Sequence, residues 1–222
     1  MGFNIMYMAA AFPAIVIALA LHEYGHAAMA TKMGDPTPKL QGRLTLNPIA
    51  HMDPMGTIFI FITMLMGFGF GWGKPVQTNP SYYRDYKMGR ILVAIAGPAM
   101  NLCQAMLAVA VGYLLYKGNI NLGTFGQLFL AVFIIINIVL MVFNLLPLPP
   151  LDGGHVMEMM LPWNQRDKFR RLGQYGILIL LALMWFGLLS IIIGFFLNIT
   201  FAVIGLGFGD DFVAWLFSPM LG

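Results

Sequence analysis

The sequence predicts an all-α integral membrane protein, a polytopic bundle of about 4 to 6 transmembrane segments with a re-entrant segment and a short membrane-associated β element. Three observations predict it. Of 222 residues, 59% are hydrophobic and only 9% are charged, and the mean hydropathy is +0.80. That is too apolar for a soluble domain, and the length suits one membrane domain. Five apolar stretches, residues 5–33, 55–71, 91–116, 125–146 and 175–197, are long enough to enter a bilayer. The basic residues between them are distributed unevenly enough to imply an orientation.

The first stretch follows four residues without a positive side chain, which is not the start of a cleavable signal, so this helix is expected to stay. The net charge of +3 and pI of about 9.1 would point a soluble chain toward nucleic acid. In a chain this apolar they set topology instead, and the expected surroundings are a lipid bilayer with no nucleic-acid partner. The single cysteine, Cys103, has no partner, which excludes a disulfide framework and a thiolate metal site. It is expected in the core.

The second stretch is at the lower limit for spanning, and its end, Gly67-Phe68-Gly69-Phe70-Gly71-Trp72-Gly73, is poor helix material. If it crosses, the twelve basic residues divide weakly, with Lys32, Lys39, Arg43 and Lys117 opposite the other eight. If it dips in and returns, one side gathers Lys32, Lys39, Arg43, Lys74, Arg84, Lys87, Arg90, Arg166, Lys168, Arg170 and Arg171, leaving Lys117 alone outside. The positive-inside rule favours the return and makes the crowded side cytoplasmic. Before this stretch, residues 40–47 alternate strictly, with Leu40, Gly42, Leu44 and Leu46 on one face and Gln41, Arg43, Thr45 and Asn47 on the other. Period two predicts a strand, whose open edge would pair with a substrate or with another part of the chain.

The third and fourth stretches read as full spans. The fourth ends in Asn144-Leu145-Leu146-Pro147-Leu148-Pro149-Pro150-Leu151-Asp152, where three prolines in four residues forbid a regular helix. The fifth stretch is a further span, and residues 198–222 hold another apolar run that fits a short or interfacial helix. There is no internal repeat, and residues 1–222 are expected to form a single membrane-embedded domain, with a core at about 5–165 and C-terminal helices at about 172–222.

The chemistry sits in the first stretch. His22-Glu23-Tyr24-Gly25-His26 puts two imidazoles at i and i+4 on one helix face, where they can hold one zinc ion. Glu23 follows the first of them, placed to take a proton from water whose pKa zinc lowers to about 7. Tyr24 lies about ten residues before the polar break at Gly34, roughly 15 Å below the cytoplasmic surface at 1.5 Å per residue. Ionisable groups at that depth are costly without partners and usually functional, so a polar cleft must lead to them. A catalytic zinc takes a third protein ligand, for which His51, Asp53, Asp152, His155 and Glu158 are the candidates. Asp152 is favoured because its helix also ends on the cytoplasmic side, level with the pentad. The alternative job for Asp152 is capping the helix that follows. His51 fits a group beside the ligands, and His155 with Glu158 fits either a second site or a solvated helix face.

His22-Glu23-Tyr24-Gly25-His26, Gly71-Trp72-Gly73-Lys74-Pro75-Val76, Ala96-Gly97-Pro98-Ala99-Met100-Asn101, and Asn144-Leu145-Leu146-Pro147 leading to Leu151-Asp152-Gly153 together resemble site-2 proteases over about residues 5–165. The resemblance is to a short form, without a PDZ or nucleotide-sensing domain. It implies an intramembrane zinc metalloendopeptidase acting on transmembrane protein or peptide substrates in a prokaryotic cell membrane. One Zn2+ per chain would be held by His22, His26 and Asp152, with Glu23 as the catalytic base. Asn144 resembles the family's asparagine that contacts the substrate backbone, and Gly71 and Gly73 lie in a stretch similar to its substrate-holding loop. The alternating segment adds Leu44 and Thr45 as substrate contacts, and Asn101 joins His51 as a possible neighbour of the metal ligands. The competing class is a membrane metal transporter or noncatalytic adaptor, in which the same ligands would coordinate an ion in transit. A transporter has no need of Glu23.

Overall fold

The structure, a computed structural model, describes residues 5–65 and 71–220. Ten α-helices make up most of them: α1 (Ile5–Lys32), α2 (Thr37–Leu40), α3 (Pro54–Leu65), α4 (Tyr86–Lys117), α5 (Gly123–Asn144), α6 (Asp152–Met160), α7 (Trp163–Leu172), α8 (Gly176–Trp185), α9 (Leu188–Phe208) and α10 (Asp210–Phe217). Among the described residues, α1, α4, α5 and α9 are long and apolar enough to cross a membrane. The chain is an all-α polytopic membrane protein. Its centre is the packing of α1 against α4 and α5. Ala10, Ala11, Ala14 and Ala18 of α1 are buried, and small side chains of this kind let helices approach closely enough for dispersion contacts to hold them in lipid.

The second apolar stretch does not cross. Its helix, α3, has 12 residues, a length of about 18 Å against a hydrocarbon core of about 30 Å. The chain then returns, for Met52 and Gly73 form an antiparallel bridge and the Lys74 N–H donates to the His51 carbonyl at 2.8 Å. Both ends of the segment therefore lie together; residues 66–70, including Gly67 and Gly69, fall outside the described residues. Glycine permits the tight fit, since a Cβ on Gly56 would lie 2.1 Å from the Trp72 carbonyl oxygen and one on Gly71 would lie 2.1 Å from Ile60 Cγ1. The Arg84 N–H donates to the Met33 carbonyl at 3.1 Å, so α1 ends beside the start of α4. Contacts of Arg43 with Lys74 and of Arg90 and Arg170 with Glu158 tie the remaining basic loops to that same end. Lys117 stands at the far end of α4.

Three expectations need correcting. Residues 40–47 form no strand: Leu40 ends α2, Gly42 turns with φ +68°, and the Arg43 N–H donates back to the Pro38 carbonyl at 2.8 Å. The period-two pattern misleads because its burial is inverted. Leu40 and Leu46 are 83% and 63% exposed, whereas Arg43 is 5% exposed, drawn inward to donate to the Lys74 carbonyl. Thr45 offers its carbonyl to His51 Nε2 at 2.8 Å and Leu44 is exposed, so neither lies on a strand edge. The extended piece among the described residues is instead the return segment, residues 71–79. The fifth apolar stretch is also not one span. Gly187, at φ +72°, separates α8, too short to cross at 10 residues, from α9, which runs on to Phe208. Beyond it α10 folds against α4 and α5, with Phe212 fully buried beside Tyr113 and Tyr116. Cys103, finally, is exposed rather than core, because α4 turns Gln104, Ala105 and Ala108 inward and presents Leu102, Met106 and Leu107 on its outer side.

Candidate metal centre

Three side chains from two parts of the chain converge. His22 Nε2 lies 3.2 Å and His26 Nε2 3.3 Å from Asp152 Oδ2, and the two Nε2 atoms are 3.0 Å apart. Helix geometry supplies the first two, one turn apart on α1. Asp152 arrives through the proline-rich turn. Leu151 is extended and α6 begins at Asp152 without a side-chain cap, so the carboxylate is not spent on capping. Gly153 and Gly154 make that turn possible, because a Cβ on either would come within 2.3 Å of the Leu145 carbonyl oxygen and 2.6 Å of the Pro149 nitrogen, respectively.

The far side of each imidazole is already engaged. His22 Nδ1 is 2.5 Å from Asn101 Oδ1 and His26 Nδ1 is 2.7 Å from the Val93 carbonyl oxygen. A carbonyl oxygen only accepts, so His26 Nδ1 carries a proton, and in the neutral ring Nε2 then presents a lone pair. Pro98, one residue beyond Gly97 in α4, lacks the N–H that would pair with the carbonyl of Ala94, the residue after Val93. The buried Asp152 Oδ2 has no hydrogen-bond donor. Two lone-pair nitrogens and a carboxylate oxygen within 4.8 Å of one another satisfy nothing among themselves. A cation at their centre would satisfy all three, and nitrogen with carboxylate oxygen is a donor set that zinc accepts. Among the described residues this is the one cluster of His, Cys, Asp or Glu with that geometry.

Glu23 lies beside the cluster, its Oε2 accepting from the Val76 N–H at 2.9 Å. The return segment thus reaches the pentad, and a Cβ on Gly73 would be 3.8 Å from Glu23 Cγ. His51 is buried but stands apart from the three converging atoms, its carbonyl holding Lys74 and its Nε2 meeting Thr45. Asn101 touches a candidate ligand directly. Asn144 turns its amide back to the Leu140 carbonyl at 2.9 Å. His155 and Glu158 form no second metal site, since Arg90 Nη2 lies 3.2 Å from each and Arg170 also pairs with Glu158. Burial, and then the charge of Arg90, push the His155 imidazole below its ordinary pKa.

Two features were not singled out from sequence. Arg43 clamps the return segment, and although burial lowers its pKa, the Glu23 carboxylate acts to raise it. Gly97 packs under the histidines, where a Cβ would be 2.3 Å from His26 Nε2 and 2.6 Å from His22 Nε2. From sequence it stood only as part of the Ala96-Gly97-Pro98-Ala99-Met100-Asn101 stretch, with no role of its own.

A bundle of apolar helices holding a His-His-Asp cluster with an adjacent glutamate is the arrangement of a membrane metalloprotease. Comparison with known proteins agrees. The sequence model of peptidase family M50 matches residues 115–187, a stretch that contains Asn144 and Asp152. A Bacillus subtilis protein named "Putative zinc metalloprotease YwhC" is 39% identical over 173 residues, covering 76% of this chain and 77% of that protein. The Mycobacterium tuberculosis H37Rv protein named "Putative zinc metalloprotease Rip2" is 32% identical over 171 residues, covering 76% of this chain and 63% of that one. Its namesake from Mycolicibacterium smegmatis is 32% identical over 169 residues, with 76% and 64% covered. No solved structure matches. The chain belongs to peptidase family M50, the site-2 proteases.

Proposed function

We propose that this chain is an intramembrane zinc endopeptidase that hydrolyses peptide bonds within or near the membrane-spanning segments of its substrates. His22, His26 and Asp152 hold the metal in this reading and Glu23 is the general base. The observation that carries it is the convergence of two imidazole lone pairs and an unpartnered carboxylate oxygen, six to ten residues before the end of a membrane-spanning helix. Zinc bound there supplies Lewis acidity to the scissile carbonyl and to water.

The residues of the chain do the rest. Glu23 takes the proton from the attacking water and hands it to the departing amine. The Val76 N–H holds one carboxylate oxygen of Glu23, which limits the directions the other can face. A helical substrate hides its carbonyls and must unwind before attack. The extended segment around Gly71 and Gly73, rather than residues 40–47, offers a backbone for the unwound strand to lie against beside Glu23. Asn144 contacts the substrate backbone, and Asn144→Leu is expected to lower turnover at unchanged zinc content, measured by reporter cleavage and metal analysis. Zinc loss in that variant would move Asn144 into the metal shell. The end of the bundle that gathers eleven of the twelve basic residues faces the cytoplasm of a prokaryotic cell, and residues 1–222 act as one unit.

Metal analysis of the purified chain tests the ligand set. One zinc per chain is expected for the wild type and close to none for Asp152→Ala. Full zinc occupancy in that variant would refute the assignment.

A further inference from the structure

The bundle interior at the level of His22 contains a chain of amides that catalysis does not use. Asn101 and Asn137 are both fully buried. Asn137, near the middle of the apolar run of α5, donates its amide to the Phe133 carbonyl at 2.9 Å and presents Oδ1 to Asn101 Nδ2 at 2.8 Å. Asn101 Nδ2 also reaches the Ala18 carbonyl at 3.3 Å, and Asn101 Oδ1 faces His22 Nδ1 at 2.5 Å.

The direction of every hydrogen in this chain follows from its ends. A backbone carbonyl only accepts, so Asn137 must turn its NH2 toward Phe133, which leaves its oxygen toward Asn101. Asn101 must answer with its NH2, as the Ala18 carbonyl also requires. Its oxygen is then fixed toward His22, whose Nδ1 must carry a proton, so that in the neutral ring Nε2 presents the lone pair to Asp152 and His26. Three helices are needed for this result, with the polarity set on α5, passed through α4 and read on α1. In a site shielded from water the relay has no solvent competitor, and breaking it leaves a buried group unsatisfied.

We propose that Asn137 is a positioning residue that fixes the metal-binding tautomer of His22 through Asn101. The inference rests on the reading of His22 as a metal ligand. Without Asn137, the Asn101 amide is free to rotate by half a turn and offer a donor to Nδ1. That moves the imidazole proton to Nε2, where it blocks the metal. The Ala18 carbonyl alone, at 3.3 Å, is the weaker restraint.

The test compares the full chain in bilayers with Asn137→Leu and Gln104→Leu. Gln104 donates to the same Ala18 carbonyl but is outside the relay, so its variant controls for loss of a buried amide. In [15N]histidine-labelled protein stripped of metal, the wild type and Gln104→Leu are expected to show His22 protonated at Nδ1. Asn137→Leu should show a substantial Nε2-protonated population and a zinc affinity about 10–100-fold weaker, the usual cost of losing an outer partner of a ligand. Should Asn137→Leu fail to fold, Asn137→Ser serves. Its short hydroxyl can bond back to Phe133, as Thr63 does to Phe59, but falls short of Asn101. A folded Asn137 variant with the wild-type tautomer and zinc affinity would overturn the proposal. A relay that behaves as described in a wild type unable to bind zinc would instead refute the metal assignment.

Discussion

Replacing Glu23 by Gln is expected to slow peptide-bond hydrolysis by about 10²–10⁴-fold, the usual worth of a general base, with zinc content unchanged. The substitution is close to a single-atom change. Glutamine keeps the shape of the side chain and a carbonyl oxygen able to accept from the Val76 N–H, so the return segment keeps its anchor. What is lost is the basicity. Rates of reporter cleavage at matched zinc occupancy measure the effect, and wild-type rates in the variant would remove Glu23 from the mechanism as its general base.

Gly97→Ala is expected to be as damaging by a different route, lowering zinc affinity on the order of 100-fold or more, beyond the loss of a typical outer partner. It removes no ligand. The added methyl would stand 2.3 Å from His26 Nε2 and 2.6 Å from His22 Nε2, and neither ring has room to retreat. Asn101 holds one through Nδ1 and the Val93 carbonyl holds the other. Either the methyl displaces the imidazoles from Asp152 or α4 moves away from α1, and each outcome opens the cluster. Competition with a chelator measures the affinity, and a thermal melt separates local damage from global unfolding. Undiminished zinc binding would place the ion elsewhere.

These two residues mark the boundary of what the sequence made legible. Glu23 was readable because its chemistry depends on local spacing, with Glu23 directly after His22 and one turn separating His22 from His26. The spans α1, α4 and α5 were readable for a similar reason, as long apolar runs bounded by charge. Asp152 needed two local signals, the prolines before it and the glycines after it, together with the count of basic residues. Gly97 and Asn137 act across helices, and no period along the chain reports how closely α1 approaches α4. Asn137 did leave a trace, a lone amide in the run Ile134-Ile135-Ile136-Asn137-Ile138-Val139, where burying a polar group in lipid calls for a partner. The failure at residues 40–47 has the opposite cause. Alternation there matched a strand, but Arg43 found a backbone carbonyl to serve inside the protein, and the leucines faced outward. Pattern alone takes a buried arginine for a solvent-facing one. At Gly187 a run of uniform hydropathy hid a break that only a left-handed turn discloses.

Proteolysis inside the bilayer is tested most directly by locating the cut. The zinc-loaded chain, reconstituted in vesicles with reporters that each carry one membrane-spanning segment, yields fragments whose termini mass spectrometry defines. The predicted result is a cut within or at the edge of the spanning segment, on its cytoplasmic half, abolished by chelation and by Glu23→Gln. Cuts confined to soluble tails, or zinc flux across the vesicles with no cleavage of any reporter, would contradict it.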